Sequence, residues 1–186
     1  NSDFTPNTSV RPTDNGALNM KLTPDGFVGK INLGSSATVN LNGSTYTVIR
    51  DRAGLEAIQG GSIAATFSPF KYVLGNDIDL QNVAWTPTAT FQGSFDGLGH
   101  KVTGLSVNST DSNVGFFRFI SRAATSTEGG NVANFGVEGS VTGSNSSNSN
   151  IGGLAGSIAG AFTRNIYSKV NVTGAGTPTM VTAIGG

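Results

Sequence analysis

"NFGVEGSVTG" occupies residues 134–143, and an altered copy, "NIYSKVNVTG", occupies residues 165–174. Each opens on Asn with an apolar residue second. Each closes on Val-Thr-Gly, at Val141-Thr142-Gly143 and again, 31 residues on, at Val172-Thr173-Gly174. A second series interleaves with the first: "VGFF" from Val114, "IGGL" from Ile151 and "IGG" from Ile184, at offsets of 37 and 33. "GLSV" at 104–107, 30 residues before Asn134, reads as a degenerate first copy. Variation falls in "NSTDSN", "GSNSSNSN" and "GAGTPTM", which have the composition of turns.

Between the turns the apolar spacing is that of strands. Val102, Leu105 and Val107 mark "HKVTGLSVN", and Val170 and Val172 alternate with polar neighbours in "SKVNVTG". A unit of about 30 residues made of short strands cannot bury its apolar side alone and must stack on the next unit. A propeller blade needs about 40 residues or more and four antiparallel strands. The expected fold is therefore all-β, a right-handed parallel β-helix, with Val141 and Val172 in equivalent inward positions.

The glycine-rich run "IGGLAGSIAG" (151–160) fits this fold better than its alternatives. It lacks the Lys-Ser/Thr of a phosphate loop and the G-x-G-x-x-G of a dinucleotide site. It is also far shorter than the ~20 apolar residues of a membrane span. In a β-helix, Ile151, Leu154 and Ile158 point inward onto Val114 and Phe117. Gly152, Gly153 and Gly156 supply corner dihedrals and let neighbouring coils approach closely. Ile184 is expected to join the column of Ile151.

Composition narrows the function classes. Lys and Arg total 11, as do Asp and Glu, so the 186-residue chain carries no net charge. There is no basic surface for nucleic acid or an anionic membrane. The 27 glycines argue against long helices, and the absence of cysteine removes disulfides, thiol nucleophiles and thiolate metal sites. The organisation expected is an N-terminal extended segment (1–26), a β-rich segment (27–69) and the repeats (70–186). One short helix is expected near 51–59, capped by Asp51, with Leu55 and Ile58 on its apolar side. The chain opens on Asn1 without Met, and its last residues begin a new coil. Both features predict a piece of a longer protein.

The repeats also resemble a known family. The phrase G-x-F-D-G-x-G-H-x-(I/V)-x-x-L is present as Gly93-Ser94-Phe95-Asp96-Gly97-Leu98-Gly99-His100-Lys101-Val102-Thr103-Gly104-Leu105. With "IGGLAGSIAG" and "NIYSKVNVTG" after it, this region resembles the GLUG-repeat region of filamentous-haemagglutinin-like bacterial adhesins exported by two-partner secretion. The resemblance covers roughly 70–186. It implies an extended β-helical passenger at the cell surface, a dedicated outer-membrane transporter during export, and no catalytic residues or cofactors. Gly97, Gly99, His100, Ile151, Gly152, Gly153, Leu154, Val141 and Val172 are then repeat positions with structural roles.

Several residues invite other readings. His100, the single histidine, lies near Asp96, but a catalytic dyad needs a nucleophile or metal beside it. Asp77 and Asp79 flank Ile78, so on a strand both face one way, about 7 Å apart. With Asn76 they fit turn capping, calcium binding, or the carboxylate pair of a polysaccharide-cleaving enzyme. No cation-bearing cluster joins them in the sequence. Trp85, with Phe91 and Phe95 near it, is either core or a sugar-stacking platform. Asn7, Asn42, Asn108, Asn145 and Asn171 begin Asn-x-Ser/Thr acceptor sequences. Three functions compete: a secreted adhesive stalk presenting loops to host or neighbouring-cell glycans or proteins, a fibre subunit self-associating through coil ends, and a polysaccharide-acting enzyme.

Overall fold

A computed structural model describes residues 21–23, 26–41, 43–58, 70–88, 90–122, 130–144, 148–174 and 180–184. In chain order its elements are β1 (Lys21–Thr23), β2 (Gly26–Val28), β3 (Val39–Leu41), β4 (Ser44–Ile49), α1 (Arg52–Glu56), β5 (Lys71–Leu74), β6 (Ile78–Asp79) and β7 (Ser94–Asp96). There follow β8 (Lys101–Ser109), β9 (Asn113–Val114), β10 (Phe117–Ser121), β11 (Asn131–Gly143), β12 (Asn148–Gly152), β13 (Ala155–Ala159), β14 (Phe162–Gly174) and β15 (Met180–Ile184). The chain is all-β, with one five-residue helix among the described residues.

From β7 onward the strands visit three sheets in a fixed cycle. β7 and β8 lie in the central sheet, β9 in a second and β10 in a third. β11, β12 and β13 repeat the order, and β14 and β15 begin it again. All pairings among these strands are parallel. Parallel pairing follows from the repeat itself, because each strand lies beside the one a unit later. Val141 sits between Val107 and Val172, and Ile151 pairs with Val114. The sheets are nevertheless mixed. β1 and β2 pair antiparallel, as do β3 and β4. The second pair flanks "NG" at 42–43, a hairpin turn signal, with Gly43 at φ 76°.

Several registers differ from those the sequence predicts. "GLSV" does not lie opposite Asn134; Leu105, Ser106 and Val107 pair with Gly139, Ser140 and Val141. The offset from Leu105 to Gly139 is 34 residues, against the 30 that would set "GLSV" opposite Asn134. A bulge gives β8 one extra residue, with Thr103 and Gly104 (φ 64°) opposite Glu138, and Gly139 (φ 146°) lies so close to Leu105 that a Cβ would stand 2.2 Å from the Leu105 carbonyl oxygen. Ile151 pairs with Ala183, and Ile184 lies opposite Gly152, because the connection before β15 is one residue longer than the one before β12. Phe117 takes Ala155 as its partner, and Ile158 pairs with Ile120.

The corner dihedrals also come from elsewhere. Gly152, Gly153 and Gly156 are not among the residues with positive φ; Asn134 and Asn165 are, at 51° and 50°. Gly156 instead allows close approach, since a Cβ there would lie 2.4 Å from the Val114 nitrogen.

The core is aromatic. Phe95 meets Phe135 edge-on at 5.0 Å, and Phe91 stacks on Phe117 at 5.0 Å. Ile151 and Leu154 are buried, whereas Val172, on the outermost strand of its sheet, is half-buried. The expected helix is α1. Asp51 Oδ1 accepts from the Gly54 N–H at 2.8 Å, and Leu55 and Ile58 enter the main core. Residues 31–39 lay a second small core, including Leu33, Val39, Val73 and Leu98, over the other side of the central sheet.

Candidate functional site: the open face of the central sheet

Around β7, β11 and β14 the inward residues are Phe95 and Val132, and their neighbours point outward. In-register pairing lines up Ser94, Asn131 and Phe162, and beside them Asp96, Ala133 and Arg164. With Tyr46 from β4 these residues bound a groove of about 390 Å³. Phe162 is 61% exposed, one of two large exposed hydrophobic residues among those described.

Asp96 is held in place at the base of this groove. Its Oδ1 accepts from the Leu98 N–H at 2.9 Å, and both oxygens accept from Asn134 Nδ2 at 3.1 and 3.0 Å. Asn134 Oδ1 in turn accepts from Asn165 Nδ2 at 2.9 Å, 31 residues along the chain. Burial pushes the Asp96 carboxyl above its usual range, although the bonds from Leu98 and Asn134 and the charge of Arg164 pull the other way.

The His100 motif forms a second polar centre. Leu98 (φ 50°) and Gly99 (φ 82°) make a tight turn closed by the His100 N–H donating to the Gly97 carbonyl at 2.8 Å. A Cβ on Gly97 would lie 2.3 Å from the Asn134 carbonyl oxygen. His100 is 1% exposed. Its Nδ1 lies 3.0 Å from Asp77 Oδ1 and its Nε2 2.9 Å from the Ile31 carbonyl oxygen. Both ring nitrogens thus face oxygen atoms, one of a carboxylate and one of a backbone carbonyl. Asp77 also accepts from Lys30 Nζ and the Lys101 N–H. Burial alone pushes the Asp77 carboxyl up, but the bonds from His100, Lys30 and Lys101 outweigh it and hold the group well below the usual carboxylate range. Alongside, Glu138 accepts from Lys101 Nζ and the Tyr167 hydroxyl, which hold it low despite burial.

The Asp77 oxygens are engaged by His100, Lys30 and Lys101, and Asp79 Oδ1 accepts from the Gln81 N–H in a local turn, the capping role among the alternatives the sequence offered. No three metal-ligating side chains cluster among the described residues. Trp85 is core rather than a sugar platform. It is 4% exposed, stacks on Phe116 at 5.2 Å and donates from Nε1 to the Phe116 carbonyl. Its ring belongs to the core because an indole N–H with a buried partner loses nothing on burial. His100 lies beside Asp77 rather than in a dyad with Asp96. Asn108 and Asn171 lie on β8 and β14, while Asn7, Asn42 and Asn145 are outside the described residues.

The grouping of Phe162, Arg164, Asn131 and Asp96 was not drawn from the sequence. A signal was present: Asn131 and Phe162 stand at the repeat's own offset, three residues before Asn134 and Asn165. No helix among the described residues is long and apolar enough to cross a membrane. The fold and site define an all-β protein with one open, polar-lined sheet face. No family model, curated protein or solved structure matches the chain.

The two lowered carboxylates predict acid sensitivity. A group whose folded pKa lies below its unfolded value of about 4 stabilises the fold above that pH and loses its contribution as pH falls. Asp77 and Glu138 are of this kind. Asp96, raised in the folded state, acts oppositely, favouring the fold as its carboxyl takes up a proton. Two groups against one predict a melting temperature that drops below about pH 4. Asp77→Asn should flatten that drop; an unchanged acid limb in this variant would remove Asp77 as its source.

Proposed function

We propose that the chain is a structural and adhesive segment of a secreted bacterial surface protein. In this reading it is a right-handed parallel β-helix of the GLUG-repeat, filamentous-haemagglutinin-like kind, carried to the surface by a dedicated outer-membrane transporter. The observation that supports it is the three-sheet cycle, in which β7–β10, β11–β13 and β14–β15 stack in parallel and near-constant register. Such a stack is a stiff spacer, and the side chains along its sheets make a repeating surface for contact with host or neighbouring-cell glycans or proteins.

A fibre subunit is the second reading, favoured by β14. This 13-residue strand pairs with β11 on one side and with no other described strand, and an open edge of that length is a template for another chain. The opposite end is less suited to head-to-tail joining, because the three-residue β3 forms its edge and runs antiparallel to β4. An enzyme is the weakest reading. The Asp96 carboxylate, the one beside an arginine in the groove, already accepts from Leu98 and Asn134.

Purified protein applied to immobilised glycans and matrix proteins should show saturable binding, with no cleavage of acidic or neutral polysaccharides and no effect of chelators. Folded protein that binds none of these surfaces, or that cleaves polysaccharide, would overturn the adhesive reading.

A further inference from the structure

We propose that the groove between Tyr46 and Phe162 is a glycan subsite that takes a sugar bearing a carboxylate, with Phe162 as the stacking platform and Arg164 as the charge partner. This rests on the adhesive reading and names its ligand class. Three features of the groove point to it.

The first is Phe162. A phenyl ring left 61% exposed on the outward side of the central sheet has a flat apolar face free for contact. The C–H face of a pyranose matches such a ring in size and polarity, and aromatic surfaces with a few placed polar groups are the usual make-up of ligand sites. The second is Arg164, exposed two residues further along the same strand. Its charge reaches Asp96 through space, but no ion pair joins them, because Asn134 and Leu98 already occupy the Asp96 oxygens. Arg164 lines the groove, and a planar bidentate donor of this kind is best matched by a carboxylate. The third is the base of the groove. Asn131 offers an amide that both donates and accepts, and Ser94 a hydroxyl, the pair of functions needed by vicinal sugar hydroxyls. At about 390 Å³ the groove lies within the ~300–1,000 Å³ of small-ligand sites, enough for a short glycan segment.

The alternative cleft beside Trp85 lacks this freedom. There Arg52 donates to the Val83 and Ala84 carbonyls and to Glu56, so its guanidinium is committed to holding the loop.

The test uses the whole chain, titrated with trigalacturonate and sialyllactose as acidic probes and with maltotriose and lactose as their neutral counterparts. Binding is followed by calorimetry and by amide chemical shifts. At least one acidic probe should bind and move the amides of Ser94, Asn131 and Arg164, and which one binds separates uronic from sialic acid recognition. Arg164→Gln should weaken the acidic probe by about tenfold or more and remove its advantage over the neutral one. Phe162→Ala should weaken both probes, whereas Arg118→Gln, at a different surface, should change nothing. Equal binding of acidic and neutral probes, or acidic binding indifferent to both groove substitutions, would overturn the proposal. If either variant failed to fold by circular dichroism, the amide shifts of the unsubstituted protein would decide alone: no shift at Ser94 and Asn131 rejects the subsite. Binding to a matrix protein with no response to any acidic sugar would reject the subsite and leave the adhesive reading standing; binding to nothing would remove both.

Discussion

Val141→Asp should leave the protein without a cooperative unfolding transition. Val141 is fully buried on β11, in register with Val107 on one side and Val172 on the other, so a carboxylate there has apolar neighbours on both flanking strands. An unpaired charge in such a site costs more than the ~5–15 kcal/mol that holds a typical domain together, unless the group stays protonated. The same change at Val172 should be milder, because that residue is half-buried on the outermost strand of its sheet. Lys169→Asp, which places a carboxylate opposite Glu138, should cost about 1 kcal/mol or less. Thermal melts of the three variants measure the order. Equal tolerance of Val141→Asp and Lys169→Asp would refute the register of β8, β11 and β14.

Phe95→Ala should be the most damaging truncation of the aromatic core, at about 3–5 kcal/mol. Phe95 packs edge-on against Phe91, Phe117 and Phe135, at centroid distances of 6.5, 6.1 and 5.0 Å. Phe95, Phe117 and Phe135 come from three different strands, β7, β10 and β11, so the cavity left behind would open between strands of two sheets. A chain of this size loses roughly 2–4 °C of melting temperature per kcal/mol, which predicts a fall of about 10 °C. Phe162→Ala, at the exposed groove, is the control and should shift the melting temperature by about 1–2 °C at most. A loss at Phe95 no larger than that at Phe162 would show that the rings do not form one packed core.

The first prediction depends on pairings between residues separated by about one repeat, and this is where sequence and tertiary structure divide. The 31-residue echo ending in Val-Thr-Gly was enough to pair Val141 with Val172, and "VGFF" with "IGGL" enough to pair Val114 with Ile151. The all-β class and the helix after Asp51 were equally legible, because strand alternation, glycine content and an N-cap are local properties. Registers that depend on a bulge or on loop length were not. The longer stretch between β8 and β11, 34 to 35 residues against 31 between β11 and β14, moved "GLSV" away from the position its offset indicated, and one extra residue before β15 set Ile151 against Ala183. A one-residue slip exchanges the faces of a strand, and backbone closure decides it rather than similarity of side chains.

The polar sites were decided later still. Asp77 lies close in sequence to Asp79, but the fold brings Lys30 and Ile31 to Asp77 and His100, and so ties the Asp77 carboxylate to a buried histidine and a lysine. Trp85 was an open question until Phe116 covered it. Asp96, Asn131 and Arg164 have no shared local motif; parallel stacking alone puts them on one face. By itself the sequence determined the repeating unit, its strand character and its need for neighbours. Only the tertiary structure decided which polar side chains meet and where the register slips, because a contact between stacked strands depends on the summed length of every turn and bulge between them.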